Sequence, residues 1–403
     1  MPSSRSRAPN DRLMRRLARW CACGLLAAAG AGLGADDPSA HVKTERSNDP
    51  SRFTHAPFVD GHYANLYPLK LPTIGNLITW YWGSFRAGGV PPPPGGYESV
   101  PVLRPDLEYL QANRTDTTVT WIGHSTVLFQ LAGVTLLADP MFSERASPFA
   151  FIGPTRHVRV PFTIAEAPHI DVVLISHSHY DHLDGPSVDA LAQQRGGSPL
   201  FIVPRGIDRW LEQRGITNVV VLDWWDAHDL AAGANGEHVR ITLVPVQHWG
   251  ARSLTDRFET LWGGHVVERI APSNEATYRF FFAGDTGYAP TFRELIHARF
   301  PHFDFAAIPI GAYEPNQFLR AQHVNPAEAV RIHRELDVAQ SLGIHWGTFT
   351  LTNEGFDQPP RDLATARDEA GLAADAFVVF KHGEMRVLER RPGDGSRVAT
   401  PAQ

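Results

Sequence analysis

Residues 171–185, DVVLISHSHYDHLDG, constrain this chain more than any other stretch. An uninterrupted apolar run, the mark of a strand buried on both faces, ends in three histidines and two aspartates within ten residues. Either the loop is simply polar or it is half of a metal site. The spacing His177-x-His179-x-Asp181-His182 favours the metal. Alternate side chains leave a strand on one side, so His177 and His179 can point together at one ion. The tight turn beyond brings Asp181 and His182 to a second. Neutral imidazole and carboxylate suit Zn²⁺ and related divalent ions.

Four ligands are too few for two catalytic ions, so more are expected at the ends of later strands. His248 ends LVPVQH, Asp285 ends RFFFAGD and His345 ends SLGIH. A lone histidine at a strand end is more often a hydrogen-bonded rim residue, and Asp-Thr-Gly is turn chemistry by itself. What groups the three with the loop is their shared place on rigid strand ends, which metal geometry requires.

Strand and helix patterns alternate around these residues. Strands are expected at 118–140 (around a Gly133 turn), 171–176, 199–204, 219–224, 238–247, 278–285, 303–313, 341–346 and 376–384. Helices are expected at 185–194, 206–215, 290–300 and from Asn325 to about Asp337. The last opens Asn-Pro-Ala-Glu: a capping asparagine, proline in the first turn and glutamate three residues on. No repeat at a fixed short period is visible. The pattern is α/β, with two sheets, or one sheet, covered by helices.

The first 35 residues differ in composition. Six arginines precede the short, small-residue apolar run WCACGLLAAAGAGLGA, the layout of a secretory signal peptide. An uncleaved anchor is the alternative, although the run is short for a membrane span of about 20 residues. Export to the periplasm, or association with a membrane, is the expectation. Both cysteines, Cys21 and Cys23, lie in this segment, so the rest of the chain has no disulfide and no thiolate ligand to offer. The formal charge is −6, and loss of the arginine-rich segment makes the remainder more acidic still. That argues against a nucleic-acid partner, whose phosphates need basic surface. Residues 36–115, with PPPPGG at 91–96, read as an N-terminal extension that packs on the main domain, spanning 116–390. Residues 391–403 read as a flexible tail.

The stretches SHSHYDHLD, VPVQHWG, RFFFAGDTGYAPTF, FDFAAIPIGAYEP, QHVNPAEAVRIH, GIHWGTF and FVVFKHGE together resemble the metallo-β-lactamase superfamily, and within it the N-acyl-phosphatidylethanolamine-hydrolysing phospholipase D branch. The resemblance covers roughly residues 115–385. It implies an αβ/βα sandwich, two mixed sheets flanked by helices, with two Zn²⁺ per chain. Carried over by position, it assigns His177, His179 and His248 to one ion. Asp181, His182 and His345 go to the other, and Asp285 bridges them. It implies a phosphodiesterase that cleaves N-acyl-phosphatidylethanolamine-type phospholipids in the phospholipase D manner. Two such ions, about 3.5–4 Å apart, would share a bridging hydroxide that attacks phosphorus.

Asp285, Asp181 and His323 are the expected catalytic groups, with Tyr180 and His323 at the substrate. Packing of the Tyr180 ring beneath its loop and helix-entry hydrogen bonding by His323 are the alternatives. Asp184 and His124 are expected to support ligand residues from behind. The aromatic segment 77–85, LITWYWGSF, reads as a cover on the sandwich, or else as a membrane-surface contact. Self-association is left open. A lactonase or another ester hydrolase of the same superfamily is the alternative activity, and a non-catalytic envelope metal-binding protein the alternative class.

Overall fold

Long apolar stretches that are buried on both faces need helices or a second sheet on each side, and the fold supplies both. The computed structural model describes residues 54–69, 75, 79–80, 82–83, 89–232, 236–253 and 255–388. The expected signal peptide, most of the aromatic segment 77–85 and the tail 391–403 lie outside the described residues. Among the described residues no helix is long and apolar enough to cross a membrane.

A two-stranded hairpin, β1 (Phe58–Val59) and β2 (His62–Tyr63), comes first. Next come β3 (Thr118–Gly123), β4 (Thr126–Leu131), β5 (Val134–Ala138), β6 (Val172–Leu174), β7 (Leu200–Pro204) and β8 (Val219–Leu222). They are followed by β9 (Ala227–Ala232), β10 (Glu237–Val244), β11 (Gly264–Ile270), β12 (Ala276–Phe282), β13 (Phe303–Pro309), β14 (Val338–Ile344), β15 (Phe377–Val378) and β16 (Met385–Val387). They form two seven-stranded sheets, ordered β16-β3-β4-β5-β6-β7-β8 and β15-β14-β13-β12-β11-β10-β9. This is the expected α/β sandwich of two mixed sheets.

The sheets repeat one pattern. From β16 in the first sheet and from β9 in the second, three antiparallel pairings are followed by three parallel ones. β3 therefore corresponds to β10, and β5 to β12. No short sequence period betrays this duplication, because its unit is half the domain.

Alternation along the strands splits the core. In β4, Val127, Phe129 and Leu131 face the sandwich interior, where Phe129 stacks on Phe280 of β12 with ring centroids 4.2 Å apart. Leu128 and its neighbours Leu137 and Val173 face outward into a second cluster with Val188, Leu191 and Leu211. Val188 and Leu191 come from the helix Gly185–Ala192 and Leu211 from Asp208–Glu212.

The helix Pro326–Glu335 starts as its sequence predicts. The Asn325 side chain accepts from Glu328 N at 2.9 Å, and Glu328 Oε2 accepts from Asn325 N at 3.3 Å. Strands β9, β11 and β16 and the helix Gln358–Glu369 carry weaker patterns and were not expected from sequence. The helix expected at 290–300 opens with a π turn, Phe292–Ile296, before His297–Arg299. Only Phe377–Val378 of the expected strand 376–384 pairs as β15, and the chain then turns towards β16.

Candidate metal centre

The titratable residues at the strand ends meet at one edge of the sandwich. β6 stops at Leu174, so His177 and His179 leave from the loop beyond it and not from the strand itself. His179 Nδ1 lies 2.8 Å from His177 Nε2 and 3.3 Å from His248 Nε2. A second group centres on Asp181 Oδ2, which is 2.9 Å from His124 Nε2, 3.4 Å from His345 Nε2 and 3.5 Å from His182 Nε2. Asp285 Oδ2 stands between the groups. It is 3.1 Å from Nε2 of both His182 and His345, and 3.9 Å from Nε2 of His177 and of His248. The seven residues expected at two ions are thus brought together, three and three with one carboxylate in reach of both.

The donor set fits a divalent metal. Nε2 of His182 and His345 and Oδ1 of Asp285 are buried and have no hydrogen-bond partner. Each such group, left unpaired, costs about 1–3 kcal/mol. Cations among these atoms remove that cost, and nitrogen with carboxylate oxygen is what zinc-class ions take.

Residues behind the ligands fix their rings. Asp139 Oδ2 accepts from His182 Nδ1 at 2.7 Å and from Ser176 Oγ at 2.6 Å, and Ser176 Oγ lies 2.9 Å from His177 Nδ1. The carbonyl of Gln322 is 3.0 Å from His248 Nδ1. Each of these partners holds Nδ1 and leaves Nε2 facing the centre. Asn65, in the N-terminal extension, brackets the His248 backbone: its Nδ2 donates to His248 O at 2.8 Å and its Oδ1 accepts from His248 N at 3.1 Å.

Tight backbone brings these loops together. Gly284 has φ +60, and a Cβ there would lie 2.5 Å from Ser176 Cβ. His124, Asp139 and His345 themselves hold positive φ of 53, 41 and 62. Strained backbone at non-glycine residues persists only where its surroundings over-determine it, and three of the ten such residues stand at the site.

Burial shapes the charges of the polypeptide. It keeps His177 and His248 well below the ordinary histidine range, and lowers His179 and His323 to about 4 and His124 to about 3. Those rings are neutral, the form that binds metal. Burial also opposes charge on His182 and His345, but the Asp285 and Asp181 carboxylates override it: His182 rises well above its usual value and His345 to about 9. Burial would likewise raise Asp181 and Asp285, yet the surrounding histidines hold both well below the carboxylate range.

The remaining expected residues divide. His124 touches the Asp181 carboxylate, as a supporting residue should. His323 is buried beside the centre, with Nδ1 3.8 Å from Asp285 Oδ2 and without a hydrogen-bond partner. The Tyr180 hydroxyl donates to Arg252 O at 2.7 Å, and its half-buried ring lies 4.1 Å from the Arg252 guanidinium carbon. Asp184 does not support a ligand histidine, which corrects the expectation. It caps the helix Gly185–Ala192 through Ser187 N and accepts from Ser143 Oγ at 2.7 Å. Its acceptors are consumed by the helix end that begins where the metal loop stops.

Sequence reasoning missed Asp139, Asn65 and Gln322. Asp139 had a signal: VTLLADP is an apolar strand ending in aspartate, as RFFFAGD is. The duplicated sheets explain the likeness. Asp139 follows β5 where Asp285 follows β12, and His124 follows β3 where His248 follows β10.

Residues 135–346 match the beta-lactamase superfamily domain. The chain is 37% identical over 275 residues to N-acyl-phosphatidylethanolamine-hydrolyzing phospholipase D 1 of Caenorhabditis elegans, covering 66% of this chain and 74% of that one. An uncharacterized protein of Mycobacterium tuberculosis is 34% identical over 349 residues, 84% of each chain. Among solved structures, a metallo hydrolase from Ignicoccus hospitalis superposes with a TM-score of 0.51 at 21% identity, covering 69% of this chain and all of the other. The chain belongs to the beta-lactamase superfamily, in the branch that contains the N-acyl-phosphatidylethanolamine-hydrolysing phospholipases D, and is a metal-dependent hydrolase.

Proposed function

We propose that the protein is a dinuclear zinc phosphodiesterase that hydrolyses N-acyl-phosphatidylethanolamine-type phospholipids, releasing a phosphatidic acid and an N-acylethanolamine. The observation that carries this reading is the position of Asp285 Oδ2, within 3.1–3.9 Å of histidines from both groups, in a chain related to the nematode phospholipase D. His177, His179 and His248 would hold one ion, Asp181, His182 and His345 the other, and Asp285 both. Bound zinc supplies Lewis acidity and a water acidified towards neutrality.

The chain's own groups handle position. Water oxygen goes to phosphorus, the bond from phosphorus to the ethanolamine oxygen breaks, and that oxygen takes up a proton. Asp285 Oδ1, buried and unpartnered, can accept a hydrogen bond from the attacking water and orient it. His323 presents a buried Nδ1 without a hydrogen-bond partner 3.8 Å from Asp285 Oδ2, where the neutral ring can hydrogen-bond the phosphoryl group and orient it. The arginine-rich, apolar layout of residues 1–35 supports export, which would carry this reaction outside the cytoplasm.

A substrate panel on the purified, zinc-repleted protein tests the reading. N-acyl-phosphatidylethanolamine, plain phosphatidylethanolamine, a simple phosphodiester, a lactone and a β-lactam would be compared, and metal counted per chain. The N-acylated lipid should be preferred, with two zinc per chain. Preference for the lactone, or less than one zinc after repletion, overturns it.

A further inference from the structure

An exposed apolar run stands at the tip of the loop between β5 and β6. Pro148, Phe149, Ala150 and Phe151 are consecutive and all exposed. Phe149 is 50% and Phe151 78% accessible, and their ring centroids are 5.6 Å apart. Runs of three or four exposed apolar residues are costly unless they have a use.

The tip is built, not loose. The Arg145 guanidinium donates to Ala150 O at 3.0 Å, to Gly153 O at 2.8 Å and to Thr155 Oγ1 at 2.6 Å. Ala146 N donates to Pro154 O at 3.1 Å and Arg156 N to Glu144 O at 2.8 Å, closing the base. Gly153 lies at φ +116, where a Cβ would fall 2.4 Å from Ser147 Cβ, so the return arm is packed against the outgoing one. The two rings are therefore held outward at no ordering cost on contact.

Two further features say what the rings meet. Within residues 143–159, Arg156 is buried with its guanidinium on the Met141 and Ser143 carbonyls, which leaves Arg145 and Arg159 against Glu144, in a chain of formal charge −6. Arg159 is exposed, and Arg145 spends its hydrogen bonds on carbonyl and hydroxyl oxygens, which leave its charge uncompensated. Moreover, the inner side of the loop borders a cavity of about 480 Å³ that runs from Phe149 and Ser147 to Trp210, Arg252 and Tyr180. An apolar, positively flanked wedge over this recess matches a lipid–water interface bearing anionic headgroups.

We propose that the loop Ser147–Ile152 is the membrane-docking wedge of this protein, with Phe149 and Phe151 seated among the acyl chains of an anionic lipid surface. The inference rests in part on the reading that the substrate is a phospholipid.

Hydrogen exchange on the full, zinc-loaded chain tests it, read on the peptides covering 146–156 with and without vesicles of one part phosphatidylglycerol to three parts phosphatidylcholine. Vesicles should slow exchange there. The Phe149→Ser/Phe151→Ser double variant should abolish that protection and weaken vesicle binding at least about tenfold, given what burying two such rings contributes. Arg159→Glu should weaken binding to these vesicles but not to pure phosphatidylcholine. Unchanged exchange on vesicle addition, equal binding by the double variant, or a wild-type dimer that the double variant breaks without any vesicle protection, overturns the proposal. The substrate reading fails separately: it falls if N-acyl-phosphatidylethanolamine dispersed in detergent micelles is not hydrolysed, whatever the loop does on vesicles.

Discussion

Asp139 offers a severe test of how the centre is assembled, because it touches no proposed ion position and yet braces one histidine of each group. Its Oδ2 accepts two hydrogens, from His182 Nδ1 at 2.7 Å and from Ser176 Oγ at 2.6 Å, while Oδ1 accepts from Ser176 N at 2.7 Å. Asp139→Asn keeps the shape but has one acceptor oxygen in place of two. If that oxygen stays with Ser176 N, the amide NH₂ faces the Nδ1–H of His182, donor against donor. The ring then relieves the clash by moving its proton to Nε2, the atom aimed at the centre. A ligand held in the wrong tautomer and a carboxylate lost from behind a histidine typically cost 10- to 100-fold in metal affinity, about 1.4–2.7 kcal/mol. Chelator-competition titration with zinc would read this directly, and circular dichroism would confirm an unchanged fold. Ser176→Ala acts on the same network, so the double variant should lose less than the sum of the two single losses. Affinity within about threefold of wild type in Asp139→Asn would refute the argument that this carboxylate sets the tautomer.

Asp285→Asn should leave the fold and the helix content intact but lower turnover by at least about a hundredfold, measured as hydrolysis under saturating zinc. Removing metal with a chelator should lower the melting temperature, since an ion at a thousand times its Kd stabilises by about 4 kcal/mol; a melting temperature indifferent to zinc would count against buried ligation. In the metal-free chain, His345 titrates at about 9 against 6.5 when unperturbed. Its protonated form thus stabilises the metal-free fold fully below 6.5, and that contribution drains away as pH rises towards 9. Denaturant melts of the metal-free chain should show the decline, which zinc should suppress. Asn325→Ala removes the side-chain half of the capping box, the acceptor for Glu328 N, and should cost about 1 kcal/mol in the same melts, without altering zinc content.

Much of this architecture could be read from the chain before any coordinates. Apolar runs as strong as RFFFA or VVLI declare their strands, and a histidine or aspartate closing such a run is conspicuous because nothing else polar surrounds it. The Asn325 cap was equally plain, since capping is local chemistry. Strands such as AHDLAA (β9) and GHVVERI (β11) escaped because their stability comes from pairing with β10, which neither propensity nor periodicity records. Asp184 was misread for a related reason: an aspartate beside a histidine cluster and an aspartate capping a helix look alike until the Ser187 amide is seen to claim it. Asn65 could not have been found at all, because its partner His248 lies 183 residues away and the bond is to backbone.

The repeated strand pattern of the two sheets has a mechanical consequence. The HxHxDH loop hangs from the first sheet, while His248, Asp285 and His345 hang from the second. Neither half therefore owns a complete set of donors. An ion held between them is a rivet through the seam of the sandwich, joining positions as far apart in the chain as Asp181 and His345. Catalytic competence and the alignment of the two halves then become one property: whatever slides one sheet against the other also pulls the ligands apart.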